Sequence, residues 1–100
     1  MGNDKALRLL GLANRAGKVI TGIELCEKTL KSKKAKLVVV TKETAENTVD
    51  IFKNKGVPVI CVESKEMLGK FTGKDIRSVA VVTDKNFADA IVKESEELVW

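Results

Sequence analysis

Apolar residues recur at helical spacing through Ala6, Leu7, Leu9, Leu10, Leu12, Ala13 and Ala16, which predicts an amphipathic helix over Lys5–Ala16. Asn3 or Asp4 can cap its start, and Gly17 can end it. Lys18–Ile20 makes at most a short strand. Thr21-Gly22 then opens a second helix to about Ser32, with Ile23, Cys26 and Leu30 on one face and Glu24, Glu27, Lys28 and Lys31 around it. From Lys36 to Thr41 the periodicity changes to a continuous β-branched run, the pattern of a central strand covered on both faces.

The second half repeats the alternation. A helix is expected over Ala45–Lys55, with Val49, Ile51 and Phe52 apolar, Thr44 as its cap and Gly56 at its stop. Pro58 precedes a strand at Val59–Val62, and a short helix runs from after Ser64 to Phe71. A loop at Thr72–Arg77 leads into the last strand, Ser78–Thr83. Asp84 caps a final helix whose apolar stripe is Phe87, Ala88, Ile91, Val92 and Leu98. Helices alternating with short apolar strands predict an α/β fold, a three-layer α/β/α sandwich of about four strands. Periodicity leaves strand order and direction open.

With 100 residues, 44% of them apolar and 32% charged, the chain fits one domain spanning 1–100. Its longest apolar runs, at 37–40 and 57–62, fall far short of the roughly 20 residues of a membrane span. No secretory signal pattern opens the chain, so a cytoplasmic location and no membrane partner are expected. Two distant cysteines and no histidine argue against a disulfide framework, the usual zinc spacings and a histidine base. With no Gly-x-Ser-x-Gly elbow either, the expectation is a non-enzymatic protein without a cofactor.

Charge adds direction. Residues 1–36 hold nine Lys or Arg against three acids, whereas 37–100 hold nine against eleven. That asymmetry points to a basic face for a polyanion. Gly11 to Val19 superficially resembles a phosphate-binding loop, but the glycine spacing is one residue too long and Val19 stands where a hydroxyl is needed. Gly17 is better read as a helix stop, which leaves Arg15 and Lys18 free to face a ligand. Lys31, Lys33, Lys34 and Lys36 form the densest basic run; they can complement a helix dipole or meet phosphate. In the Thr72–Arg77 loop, Ile76 can be an exposed side chain that packs on unstacked bases, with Lys74 or Arg77 on phosphate. It can equally lie under the loop as core, which its residue type favours. Cys26 and Cys61 read as small core hydrophobes, and Trp100 as either frayed or packed back on the sheet.

Gly11-Leu-Ala-Asn-Arg-Ala-Gly-Lys-Val-Ile-Thr-Gly22, then Lys28, Lys34-Ala-Lys-Leu-Val-Val-Val40, Val57-Pro-Val59 and Glu63-Ser-Lys-Glu-Met-Leu-Gly69 closely resemble the bacterial YlxQ-type proteins. These belong to the ribosomal protein superfamily of large-subunit seven-Ae and thirty-e. The resemblance covers nearly the whole chain in order. It implies a mixed four-stranded sheet and binding to structured RNA, often kink-turns, gripped by a helix N-terminus and a nearby loop. Ribosomal RNA and ribosomal or translation-associated proteins are the partners it suggests. The family signature Gly-x-Asn-Glu-x-x-Lys aligns with Gly22 to Lys28, so that Gly22 and Lys28 match while Glu24 and Leu25 occupy the Asn and Glu positions. The second contact region falls on Gly73–Arg77. The resulting candidate RNA-binding set is Lys18, Gly22, Glu24, Leu25, Lys28, Lys31, Lys74, Ile76 and Arg77. The alternative is a protein-interaction module on the same scaffold, using Ile23, Leu25 and Ile76.

Overall fold

The computed structural model describes residues 4–95. Five helices and four strands alternate in the order α1 (Asp4–Arg15), β1 (Val19–Thr21), α2 (Ile23–Lys31), β2 (Leu37–Thr41), α3 (Glu46–Phe52), β3 (Val59–Val62), α4 (Lys65–Phe71), β4 (Val79–Val82) and α5 (Lys85–Glu94). The sheet runs β1-β4-β2-β3. β2 pairs parallel with β3 and antiparallel with β4, and β4 pairs antiparallel with β1. This is the mixed four-stranded α/β/α sandwich expected from the chain's pattern and resemblance.

Strand alternation sorts the core into two layers. Leu37 and Val39, Ile60 and Val62, and Ala80 and Val82 face α1, α4 and α5, where they meet Leu7, Leu10, Leu68 and Ile91. Val38 and Val40, Val59, and Val79 and Val81 face α2 and α3, where they meet Cys26, Val49 and Phe52. Both faces of β2 and β4 are therefore covered, and every residue of these two strands is buried. That explains why Lys36–Thr41 reads as a continuous β-branched run. Among the described residues no helix is long and apolar enough to cross a membrane.

Helix boundaries follow local chemistry. Ser64 Oγ accepts from Met67 N–H at 3.1 Å to open α4, and Asp84 Oδ1 accepts from Phe87 N–H at 3.0 Å to open α5. Thr44 does not cap α3: Ala45 holds that position without a side-chain bond. Thr44 Oγ1 instead accepts from Thr41 N–H at 3.1 Å and donates to the Ser78 carbonyl at 3.0 Å, tying the end of β2 to the approach to β4. Helix α3 stops at Phe52 rather than Lys55, because Lys53 is extended and Asn54 turns left-handed at φ 60°. Leu98 and Trp100 lie outside the described residues.

Three helices end in one hydrogen-bond pattern. In α1, Lys18 N–H reaches the Ala13 carbonyl and Gly17 N–H the Asn14 carbonyl; in α4, Lys74 and Gly73 repeat this with Gly69 and Lys70. In α2, Lys34 N–H bonds Thr29 O and Lys33 N–H bonds Leu30 O, but Lys33 takes the left-handed position at φ 62° where the others have glycine. A side chain there costs about 1–2 kcal/mol, partly offset by lower chain entropy when unfolded. Lys33→Gly is therefore expected to stabilise the fold by about 0.5–1 kcal/mol, a rise of several degrees in thermal midpoint. A drop in that midpoint would show that the Lys33 side chain contributes more than its strain costs.

Helix α4 carries Gly69 in its interior at a helix-propensity cost of about 1 kcal/mol. A Cβ at Gly69 would lie 2.6 Å from the Asp75 carbonyl oxygen and 2.9 Å from Ile76 N. The loop at 72–77 thus folds directly onto the backbone of α4, where Lys74 N–H donates to Gly69 O at 2.7 Å and Arg77 N–H to Lys65 O at 3.1 Å. Gly69→Ala should displace this loop and cost about 1–2 kcal/mol net of the helix-propensity gain. Chemical denaturation would measure this, and an unchanged midpoint would mean that the loop yields freely.

Candidate nucleic-acid interface

Antiparallel pairing of β1 with β4 places the chain leaving β1 beside the chain entering β4. Thr21 lies opposite Ala80, and Gly22 N–H donates to the Val79 carbonyl at 3.3 Å. The start of α2 and the 72–77 loop therefore meet at one end of the sheet. Arg77 joins them: its Nε donates to Thr21 Oγ1 at 3.3 Å and its Nη1 to the Ile76 carbonyl at 2.8 Å. The other guanidinium N–H groups have no hydrogen-bond partner among the described residues. Arg77 is thus half-buried and partly committed to holding the loop, a role its charge alone did not suggest.

Gly22 adopts φ 97°, ψ 137°, a conformation reserved in practice for glycine, although the space around it is open. Its carbonyl accepts the first intrahelical bond, from Cys26 N–H at 2.9 Å. The N–H groups of Ile23, Glu24 and Leu25 precede that bond, and no side chain caps them. They present a partial positive charge to solvent at a place without a side chain to obstruct a ligand. Glu24 sits in this first turn, where its carboxylate is stabilised by the same dipole and opposes a second anion.

Three exposed apolar side chains lie at the same end, with a fourth, Leu12, on α1. Ile76 is 52% exposed, so the loop presents it rather than covering it, which corrects the expectation of a core side chain. The loop backbone at Asp75 and Ile76 lies directly against α4 at Gly69, while the Ile76 side chain is in solvent. Leu25 is 58% and Ile23 40% exposed on the adjoining helix. Lys28 is exposed farther along α2, beside a shallow groove lined by Glu24, Leu25, Glu27 and Lys31. Lys31 pairs with Glu27 at 3.2 Å, so its charge is partly used within the helix. Lys74 is exposed on the loop.

Lys18 does not join this group. It immediately precedes β1 at the opposite end of the sheet, where its carbonyl accepts from Thr83 N–H at 2.9 Å. The supporting residues that sequence reasoning missed are Thr21, Thr44 and Gly69. Nothing in a sequence marks two threonines as partners of residues more than thirty positions away, but a glycine inside an otherwise regular helix is a legible signal of close approach. Elsewhere at this end charges cancel: Lys42 Nζ lies 2.8 Å from Glu63 Oε1, which holds the Glu63 carboxyl below its usual range, and Glu43 accepts from Lys65 N–H at 2.8 Å. Cys26 is structural. Its Sγ donates to the Ile20 carbonyl at 3.3 Å, and burial pushes the thiol up to about 12, so no thiolate is available near neutral pH.

Comparison with known proteins gives this geometry a context. The chain is 42% identical over 88 residues to an RNA-binding protein YlxQ of Bacillus subtilis (strain 168), covering 84% of this chain and 88% of that one. It is 38% identical over 99 residues to an RNA-binding protein YlxQ of Enterococcus faecium, covering 95% and 91%. Among solved structures, a protein of unknown function from Bacillus halodurans C superposes with a TM-score of 0.85 at 32% identity, over 93% of this chain and 98% of that one. A Giardia lamblia 15.5kD RNA binding protein shares the fold with a TM-score of 0.74 at 23% identity, over 90% and 83%. The model of the ribosomal protein L7Ae/L30e/S12e/Gadd45 family matches residues 4–93, and the chain belongs to that family.

Proposed function

We propose that this chain is a non-enzymatic RNA-binding protein that grips a structured RNA at the end of the sheet where α2 begins. The carrying observation is the meeting of an uncapped, glycine-opened helix N-terminus with an exposed isoleucine on a backbone-anchored loop. Two relatives spanning most of the chain are described as RNA-binding proteins, which supports the same reading. In this mechanism a phosphate approaches the first-turn N–H groups over Gly22, and Lys28 and the unpartnered part of Arg77 add charge. Ile76 packs against an unstacked base, as apolar side chains do at splayed nucleotides. Lys31 and Lys74 supply weaker, more distant attraction.

Glu24 and Leu25 define the kind of recognition. Where the family signature has an amide and a carboxylate that read purine edges, this chain offers a carboxylate one place early and an aliphatic side chain. Leu25 can pack on a sugar or base face but cannot hydrogen-bond to an edge. Recognition then rests on shape and phosphates, which position an RNA without reading its sequence. A kink-turn within ribosomal RNA, bound in the cytoplasm, is the RNA class that fits. The exposed cluster of Ile23, Leu25 and Ile76 favours one second reading, an apolar patch for a translation-associated protein. Nucleic acid copurifying with the native protein would decide for the first reading, and a clean protein would favour the second.

Titration with a kink-turn RNA, and with a control whose sheared G·A pairs are replaced by Watson–Crick pairs, is expected to show tighter binding to the kinked RNA. Equal affinity for both would remove shape recognition of the kink from the mechanism. Lys28→Ala should weaken binding several-fold and reduce the slope of log affinity against log salt by about 0.7–0.9, the contribution of one phosphate. Thermal stability should change by less than about 0.5 kcal/mol, since the side chain is exposed. Identical salt slopes for the variant and the parent would exclude Lys28 as a phosphate contact.

A further inference from the structure

A further accumulation of positive charge among the described residues lies away from the interface just described. At the opposite end of the sheet, Thr83 N–H bonds the Lys18 carbonyl on one side of β4, while Lys36 N–H bonds the Val82 carbonyl on the other. Lys18 and Lys36 thus flank the end of β4 with their backbones about 10 Å apart, twice the strand spacing. Lys33 and Lys55 line one groove together with Leu30, Ile51 and the Glu27–Lys31 pair. Lys34 lies between Lys33 and Lys36 in the chain. All five lysines are exposed, and none makes an ion pair with a described residue.

Carboxylates near this pole are already engaged. Glu27 pairs with Lys31 at 3.2 Å, Asp50 with Lys53 at 2.9 Å and Asp89 with Lys85 at 3.0 Å, while Asp84 caps α5. The end of the sheet where α2 begins, by contrast, mixes Lys28, Lys74 and Arg77 with Glu24 and Asp75. Complementing the dipole of α2 accounts for Lys31 in its last turn but not for Lys18 or Lys55. Lys33 is held in a left-handed conformation at φ 62°, at the position where α1 and α4 use glycine. A strained, charged residue at a turn where glycine would be relaxed points to use of the charge.

We propose that this five-lysine pole is a second phosphate-binding surface, which holds a helical stem flanking the segment docked at the Gly22–Ile76 end of the same RNA. The inference rests on the RNA-binding reading above. Charge complementarity selects the occupant: the lysines are dispersed over two helix ends and two strand ends, and such spacing suits a phosphate backbone that needs no sequence-specific partner. The nine residues of α2 separate the two ends by about 14 Å at 1.5 Å per residue, so one RNA bending past this helix can reach both.

The test uses the full chain and a kink-turn RNA in two lengths, one with extended stems and one with stems trimmed close to the kink. Lys33→Ala, Lys36→Ala and Lys55→Ala are combined in one variant, with a Lys→Arg version at the same three positions as a charge-preserving control. Expected is a loss of about tenfold or more in affinity for the extended RNA, with the salt slope reduced by about 2. The trimmed RNA should be little affected, and the arginine version should bind like the parent. A triple-alanine variant that matches the parent on the extended RNA in affinity and slope would overturn the proposal and leave the lysines to an acidic protein partner. Such a result, together with a loss of binding in an Ile76→Ala, Arg77→Ala variant, would leave the RNA-binding reading standing. A parent that binds neither RNA would overturn both.

Discussion

The pairing of β1 with β4 is the interaction on which the rest of the site depends. It involves three residues of a short edge strand, Val19 to Thr21, against Val82 to Ala80. Because the pairing is antiparallel, the exit of β1 and the entry of β4 are neighbours, and two segments more than fifty residues apart form one surface. Burial holds this edge in place, since Val19 packs into one core layer and Ile20 into the other. The bond from Arg77 to Thr21 then fixes the loop to the strand at the point where the helix begins.

A second constraint acts on the loop. The seven residues between α4 and β4 would ordinarily be free to collapse and bury an isoleucine, since apolar burial is the dominant favourable term in folding. Here the absence of a side chain at Gly69 lets the loop backbone settle against α4, and backbone hydrogen bonds at both ends of the loop hold it there. Ile76 is left in solvent. The fold gives up one buried side chain, on the order of 1.5–3 kcal/mol of burial free energy, and retains an apolar contact surface in return.

Charge is distributed by a similar division of labour. Around the start of α2 the electrostatics are carried mainly by the backbone, through uncapped N–H groups, with mixed side-chain charges nearby. Around the starts of β1 and β2 lysine side chains stand beside carboxylates that are already paired or capping. Backbone dipoles are fixed in direction and suit a defined anion position, whereas flexible lysines tolerate variation in where a phosphate lies. The two ends of the sheet thus differ in the precision that their charges can impose.

The alternation of helix-period and strand-period segments determined the layer architecture, because each pattern can bury its apolar face in only one way. The continuous run at Lys36–Thr41 already marked β2 as a strand covered on both faces, and Ser64 and Asp84 marked their helix starts correctly. Thr44 was misplaced because a threonine hydroxyl has several backbone groups within reach and the fold chose Ser78, and the end of α3 because Asn54 takes a left-handed turn that helical spacing does not reveal. The candidate contacts at Gly22, Lys28, Ile76 and Arg77 could be named from local composition and resemblance. Their meeting at one end, the exposure of Ile76, the commitment of Arg77 to Thr21 and the placement of Lys18 at the other end were decided only by tertiary structure. These depend on strand direction and on one close backbone approach, and neither leaves a periodic trace along the chain.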